Sequence, residues 1–257
     1  MIFFSFEPER MEPNAKPILF IYIFFSIFLI YFTILLYKKW KSKRKKPAQL
    51  LFITFLSFTI TILGLLVGFI EMFLTGLKLK IYRFSLGFGY FFNCIGNIFL
   101  MEFISELFSI PKKFIRKYQV LMIFIAIIVI LPWNYYGWPQ YAIDLQPIPS
   151  IRVYSQLSLF IVSLLVYGRI SIVAYHASKL VQDKYLKISF KFISYSHISE
   201  IIFYVCMSLD SISFTFFDLP GYSIFVFIAW IFGFFFFIFC YIGYIMPQWL
   251  IKIKKFN

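Results

Sequence analysis

The chain has 257 residues, of which 61% are hydrophobic and 14% charged, and its formal net charge is +14. Soluble domains average about 45–50% apolar and about 25% charged residues, so a soluble globular fold is excluded. Nucleic acid is not the implied partner of the positive charge. The basic residues stand in short clusters between long apolar runs, as loops do where they face a cytoplasm and an anionic leaflet.

Residues 1–16 carry Glu7, Glu9, Arg10 and Glu12 and lack the basic start and small-residue cleavage site of a secretory signal. They read as an extracytoplasmic tail, and the first apolar run, 17–37, as a retained helix. At about 1.5 Å per residue that run reaches about 30 Å, the thickness of a bilayer's hydrocarbon core. Behind it stands the densest charge run of the chain, with Lys38, Lys39, Lys41, Lys43, Arg44, Lys45 and Lys46. It reads as a stop-transfer anchor, and the same charges suit the anionic lipid of an inner leaflet or an acidic partner. Six further runs, 49–76, 84–110, 119–138, 156–178, 190–217 and 221–250, are each long enough to span. The expected fold is therefore all-α, a polytopic bundle of seven transmembrane helices over 17–250 followed by a basic tail at 251–257.

Basic residues gather behind alternate spans: 38–46, then Lys112, Lys113, Arg116 and Lys117, then Lys179, Lys184 and Lys187, then Lys252, Lys254 and Lys255. The other side holds the acidic tail, Asp144, Arg152 and Asp218, with Lys78, Lys80 and Arg83 as the exception. The bias places the N-terminus outside and the C-terminus inside a cell membrane. Trp133, Tyr135, Tyr136, Trp138 and Tyr141 form an aromatic belt at the outer end of the fourth span, and Trp249 marks an inner interface. The proline-bearing connection 137–155 is expected to be non-helical, either a cap over an outward-facing cavity or an ordinary loop.

Cys94, Cys206 and Cys240 lie inside apolar runs without metal-ligand spacing, and read as buried free thiols; no metal or cofactor is expected. The sixth span carries His197, Glu200 and Asp210, although an acidic group at the bilayer centre costs roughly 2.5–3.5 kcal/mol. Counting helix rise from the inner ends puts Glu102, Arg169 and Glu200 about 12–15 Å deep, in one layer. Arg169 is expected to fork between the two carboxylates, with His197 at the edge, one turn from Glu200. Such a cluster either fixes helix register as a static ion pair or acts as a two-state network that transmits a signal or gates a path. Glu106 is expected to pair with Lys112 or Lys113, and His176 to sit at headgroup level. An outer layer of Glu71, Asn93, Asn134 and Asp210 either lines a ligand pocket or knits helices by hydrogen bonds. Gly64 and Gly68, four residues apart, permit a close helix approach.

The last span has no lysine for a retinal Schiff base, and the aspartate-arginine-tyrosine and asparagine-proline hallmarks of G-protein-coupled receptors are missing. The Pro-Gln pairs at 139–140 and 247–248 do not fall at equivalent points of a repeat, as transporters of the PQ-loop type require. The run Tyr241-Ile242-Gly243-Tyr244-Ile245-Met246-Pro247-Gln248-Trp249-Leu250 resembles the exit of the seven-helix sensor region of prokaryotic histidine kinases and related signalling proteins. That resemblance implies a sensor. With no output domain after the motif, the expected partner is a separate cytoplasmic signalling protein. The expectation is thus a stand-alone membrane sensor without catalytic activity, and the alternative is a small secondary transporter using the same carboxylates for proton or ion coupling.

Overall fold

Residues 10–108, 110–130, 151–217 and 221–245 are described by a computed structural model. Their long elements are all α-helices: α1 (Lys16–Lys43), α2 (Lys46–Thr75), α3 (Lys80–Phe108), α4 (Lys112–Ile130), α5 (Ile151–Leu180), α6 (Lys184–Phe216) and α7 (Ile224–Cys240). A π-helical turn, Tyr241–Ile245, continues α7. Six of the helices, all but α4, are long and apolar enough to cross a membrane, so by length and composition this is a multi-pass membrane protein. The described part of α4 opens on Lys112, Lys113, Arg116 and Lys117, which leaves too short an apolar stretch to qualify alone. Residues 131–138 of the expected fourth span lie outside the described residues, as do the aromatic belt, Asn134 and the end of the 241–250 run from Met246.

Helices α1 and α5 overrun their apolar runs at both ends, and α2, α3 and α6 overrun theirs at the start. Lysine is a good helix former, so α1 continues through most of the basic run. It stops where Arg44 turns left-handed at φ 47, and Pro47 then stands in the first turn of α2. The basic segment is therefore largely helix and not loop. Gly76, at φ 70, caps α2 in the same way. Asp183 starts α6 by accepting from the backbone N–H groups of Tyr185 and Leu186 at 2.7 and 2.9 Å, and Ser223 starts α7 by accepting from Phe225 N at 3.3 Å. Helix α5 begins at Ile151, so the last part of the expected 137–155 loop is helical.

Each helix packs on its neighbours in the chain, and α5 also touches α3. Aromatic side chains close the circuit between α1 and α7: Tyr22 and Phe25 each meet Trp230 with ring centroids 5.0 Å apart, and Phe32 meets Tyr241 at 5.8 Å. The α2–α3 seam is the tightest. A Cβ on Gly68 would lie 2.0 Å from Ser85 Oγ and 3.0 Å from the Tyr82 Cα, and one on Gly64 would lie 2.6 Å from the Phe88 ring. The expected close approach at this glycine pair is thus an α2–α3 contact.

One end of the bundle carries Glu12, the α2–α3 turn and the start of α7; the other carries the 38–46 segment and is here termed the basic end. At the Glu12 end, Met11 N donates to Gly76 O at 2.8 Å, and Arg10 forms an antiparallel bridge with Leu77. Lys78 Nζ donates to Glu12 Oε1 at 3.2 Å, and Arg83 Nε to Lys78 O at 3.1 Å. These contacts account for part of the basic cluster that breaks the charge alternation: it is engaged by the acidic tail and by backbone carbonyls.

Candidate functional site

A cavity of about 230 Å³ lies between the helices in the half of the bundle nearer the Glu12 end. Glu12, Lys78 and Gly221 stand among its lining residues at that end, and Glu200, with Phe236 and Phe237, lines it about halfway along the bundle. Helices α1, α2, α3, α6 and α7 supply most of the wall, which is dominated by aromatic rings. Such a concave, mainly apolar space with a few convergent polar groups is the usual form of a small-molecule site.

The expected outer layer falls in two parts. Asn93 and Asp210 line the cavity. Asn93 Nδ2 donates to Tyr204 OH at 2.7 Å, and Asp210 Oδ1 accepts from Ser223 N at 2.9 Å, tying the end of α6 to the start of α7. Asp210 is therefore not the unpartnered group that its place in an apolar run suggests. Glu71 serves the helix start instead: its Oε2 accepts from Tyr82 N at 2.7 Å, satisfying a first-turn donor of α3. Tyr82 OH and Tyr222 OH share a short hydrogen bond across the cavity wall, and Tyr222 holds the left-handed conformation at φ 56, unusual for a non-glycine residue.

The inner layer is not assembled as expected. Arg169 is exposed on the outside of α5 and makes no ion pair with any described residue. Glu102 lies 3.6 Å from Lys46 Nζ and accepts from Gln119 Nε2 at 3.3 Å. Glu106, one turn on, takes the same lysine at 2.5 Å in place of the expected Lys112 or Lys113. Lys46 heads α2 at the basic end, so both carboxylates of α3 are satisfied near the interface by an α2–α3–α4 clasp. Glu200 has no ion pair with any described residue, and its side chain meets the cavity. The reason is azimuthal. Arg169 is two positions, about 200° of helix rotation, from the buried Tyr167, and its long stem lets the guanidinium reach headgroups from an exposed position. Arg169→Leu is accordingly expected to cost no stability in thermal unfolding, whereas loss of one partner of a buried ion pair would cost about 3–5 kcal/mol. His176 is exposed near the basic end, as its position in the sequence implies.

His197 is fully buried, one turn beyond Glu200 toward the basic end. Its ring stacks on Tyr167 (5.4 Å between centroids, 16° between planes), and Tyr167 stacks in turn on Tyr204 at 5.7 Å and 17°. Tyr167 OH donates to Asn97 Oδ1 in a short hydrogen bond, and Asn97 Nδ2 donates to Ser163 Oγ at 3.2 Å. On its other side His197 Nε2 lies 3.1 Å from Tyr244 OH, in the π-helical turn. That turn is held from two directions: Ser189 Oγ donates to Gly243 O, and Lys39 Nζ donates to Tyr244 O at 2.6 Å. A Cβ on Gly243 would lie 2.8 Å from Ile193 Cγ1, so the glycine is what lets the turn sit against α6. A continuous set of aromatic and polar contacts thus runs from the cavity wall at Tyr204 to a lysine of the basic segment.

The tyrosines of this set are absent from the sequence-derived site. The usable signal was on α6, where His197, Glu200 and Tyr204 fall at i, i+3 and i+7 on one face. Among the described residues no three His, Cys, Asp or Glu side chains are grouped to hold a metal ion, and the three cysteines are free and buried. Compared with protein-family models, curated proteins and solved structures, the chain matches none of them.

Proposed function

We propose that the protein is a membrane sensor, in which occupancy of the cavity alters the packing of the basic end. In this reading seven helices cross the membrane, α4 among them, and the Glu12 end faces outward. The basic end then meets the anionic inner leaflet, where Lys38, Lys39, Lys41, Lys43, Arg44, Lys45 and Lys46 also serve as a landing for a separate cytoplasmic signalling protein. The observation that supports this most is the buried connection Tyr204–Tyr167–His197–Tyr244, which begins at the cavity and ends on Lys39.

A sensor needs an element with two arrangements that both sites bias. The π-helical turn Tyr241–Ile245 suits that part, because π turns are rare and sit disproportionately at functional positions. A ligand that displaces Tyr204 or Glu200 shifts the Tyr167–His197 stack, and the His197–Tyr244 hydrogen bond carries the shift to the turn. Return of the turn to α-helical winding would change its hold on Lys39.

The transporter alternative draws on one specific observation, the Glu200 carboxyl facing a cavity at mid-bundle without a cation beside it. Two measurements separate the readings. Met207→Trp fills part of the cavity from α6 and is expected to shift amide-exchange opening of the Tyr241–Ile245 turn by about 0.5–2 kcal/mol, the range carried by packed networks. Proteoliposomes under an imposed pH gradient are expected to show no Glu200-dependent flux. Flux lost in Glu200→Gln, with no exchange response to Met207→Trp, would overturn the sensor.

A further inference from the structure

We infer that the cavity binds a monovalent organic cation, an amine or quaternary ammonium carrying a hydrophobic body about the size of one ring and a short chain. The inference rests on the cavity being the sensing site and names its ligand class.

Charge is the first reason. Glu12, Asp210 and Glu200 line the cavity, and among the described residues Lys78 is the only basic side chain lining it. Lys78 is already paired with Glu12 at the Glu12 end. Among the described residues no basic side chain pairs with Glu200, which is 8% exposed and has no hydrogen bond or ion pair to another described residue. An anionic ligand would meet this excess of carboxylates. A purely apolar one would leave the Glu200 carboxyl buried and unpartnered, which costs free energy.

The second reason is the wall. Tyr22, Phe69, Tyr82, Phe203 and Trp230 present rings from α1, α2, α3, α6 and α7, and a cation held against aromatic faces is favoured most when desolvated. Trp230 is 6% exposed, and its Nε1 lacks a hydrogen-bond partner among the described residues while the ring lines the cavity. A buried N–H left open in this way matches a ligand acceptor such as a hydroxyl or carbonyl on the body of the cation.

The third reason is volume. A dry cavity of about 150 Å³ takes benzene, so a space of about 230 Å³ takes a ring with a two- or three-atom arm. A hard inorganic cation is disfavoured, since such ions require six or more oxygen ligands and the wall offers mostly rings.

The test is calorimetric titration of the full chain in lipid nanodiscs with phenethylamine, and with 2-phenylethanol as its uncharged counterpart. Phenethylamine is expected to bind saturably and about tenfold or more tighter than the alcohol, as one charge-assisted contact plus cation–π attraction implies. Glu200→Gln, which keeps the side-chain shape, is expected to erase most of that preference. Equal binding of amine and alcohol, no saturable amine binding, or an undiminished preference in Glu200→Gln would each overturn the assignment. The amine-to-alcohol ratio on the native chain decides even if the variant fails to fold. Amine binding without an exchange response at Tyr241–Ile245 would remove the sensing reading and leave the ligand class. A response to Met207→Trp without amine binding would do the reverse.

Discussion

Glu200→Met is expected to raise the unfolding free energy of the unliganded protein by about 1–3 kcal/mol, the cost usually attached to a buried polar group without a partner. Methionine nearly preserves the volume and adapts to irregular space. The expectation comes from where the carboxyl lies: 8% exposed, lining an aromatic cavity, with no ion pair to a described residue. The arrangement expected from depth alone, Glu200 forked to Arg169, predicts the opposite sign, a loss of about 3–5 kcal/mol when one partner of a buried pair is removed. Reversible unfolding in mixed micelles separates the two by their direction, so no fine calibration is needed. A residue whose removal stabilises the fold is one retained for something other than stability, and this trade is common at binding sites.

The largest loss is expected at Gly68. Its Cβ position is already occupied by Ser85, and the Tyr82 backbone is 3.0 Å away, so Gly68→Leu forces α2 and α3 apart along their closest seam. Overpacking of this kind costs about 1–3 kcal/mol and at times more; with backbone as the obstacle, about 3 kcal/mol is expected. Because Tyr82 and Leu86 of α3 also line the cavity, the same substitution should widen it and weaken any ligand held there. Gly168 is the control. Nothing lies within 4 Å of a Cβ built there, so Gly168→Ala is expected to gain about 0.5–1 kcal/mol from helix propensity. Equal effects at the two glycines would mean that the α2–α3 contact is not as close as described.

The helical architecture was legible because hydrophobic run length alone dictates it: the runs 17–37 and 156–178 fall wholly inside α1 and α5, and those at 49–76, 84–110, 190–217 and 221–250 coincide with α2, α3, α6 and α7 over most of their described residues. Their ends were less legible, since the basic residues 38–43 read as loop by charge but lysine carries the helix until Arg44 breaks it. Asn93 and Asp210, grouped in one expected layer by depth, both line the cavity, and Gly64 and Gly68 both stand on the α2–α3 seam. The inner network failed for a definable reason. Depth orders side chains along the bundle and leaves their azimuth open, yet α5 carried that information: Ser163, Tyr167, Ser171, Ala174 and Ser178 are buried and form the inward stripe, from which Arg169 is offset. Lys46 was missed because it was assigned to a loop, although it heads α2 and reaches both Glu102 and Glu106. Asn134 and the 131–138 stretch lie outside the described residues.

These placements leave one claim on which the functional account depends, that the cavity and the basic end are joined through His197 and Tyr244. The most direct measurement is amide exchange of the Tyr241–Ile245 turn in Met207→Trp, taken with and without Tyr244→Phe. Tyr244→Phe keeps the ring against Phe55 and Phe103 and removes only the hydroxyl beside His197. Filling the cavity is expected to shift exchange in the turn when Tyr244 is intact, and the shift is expected to vanish in Tyr244→Phe. A shift of the same size in both backgrounds, or in neither, would contradict that claim.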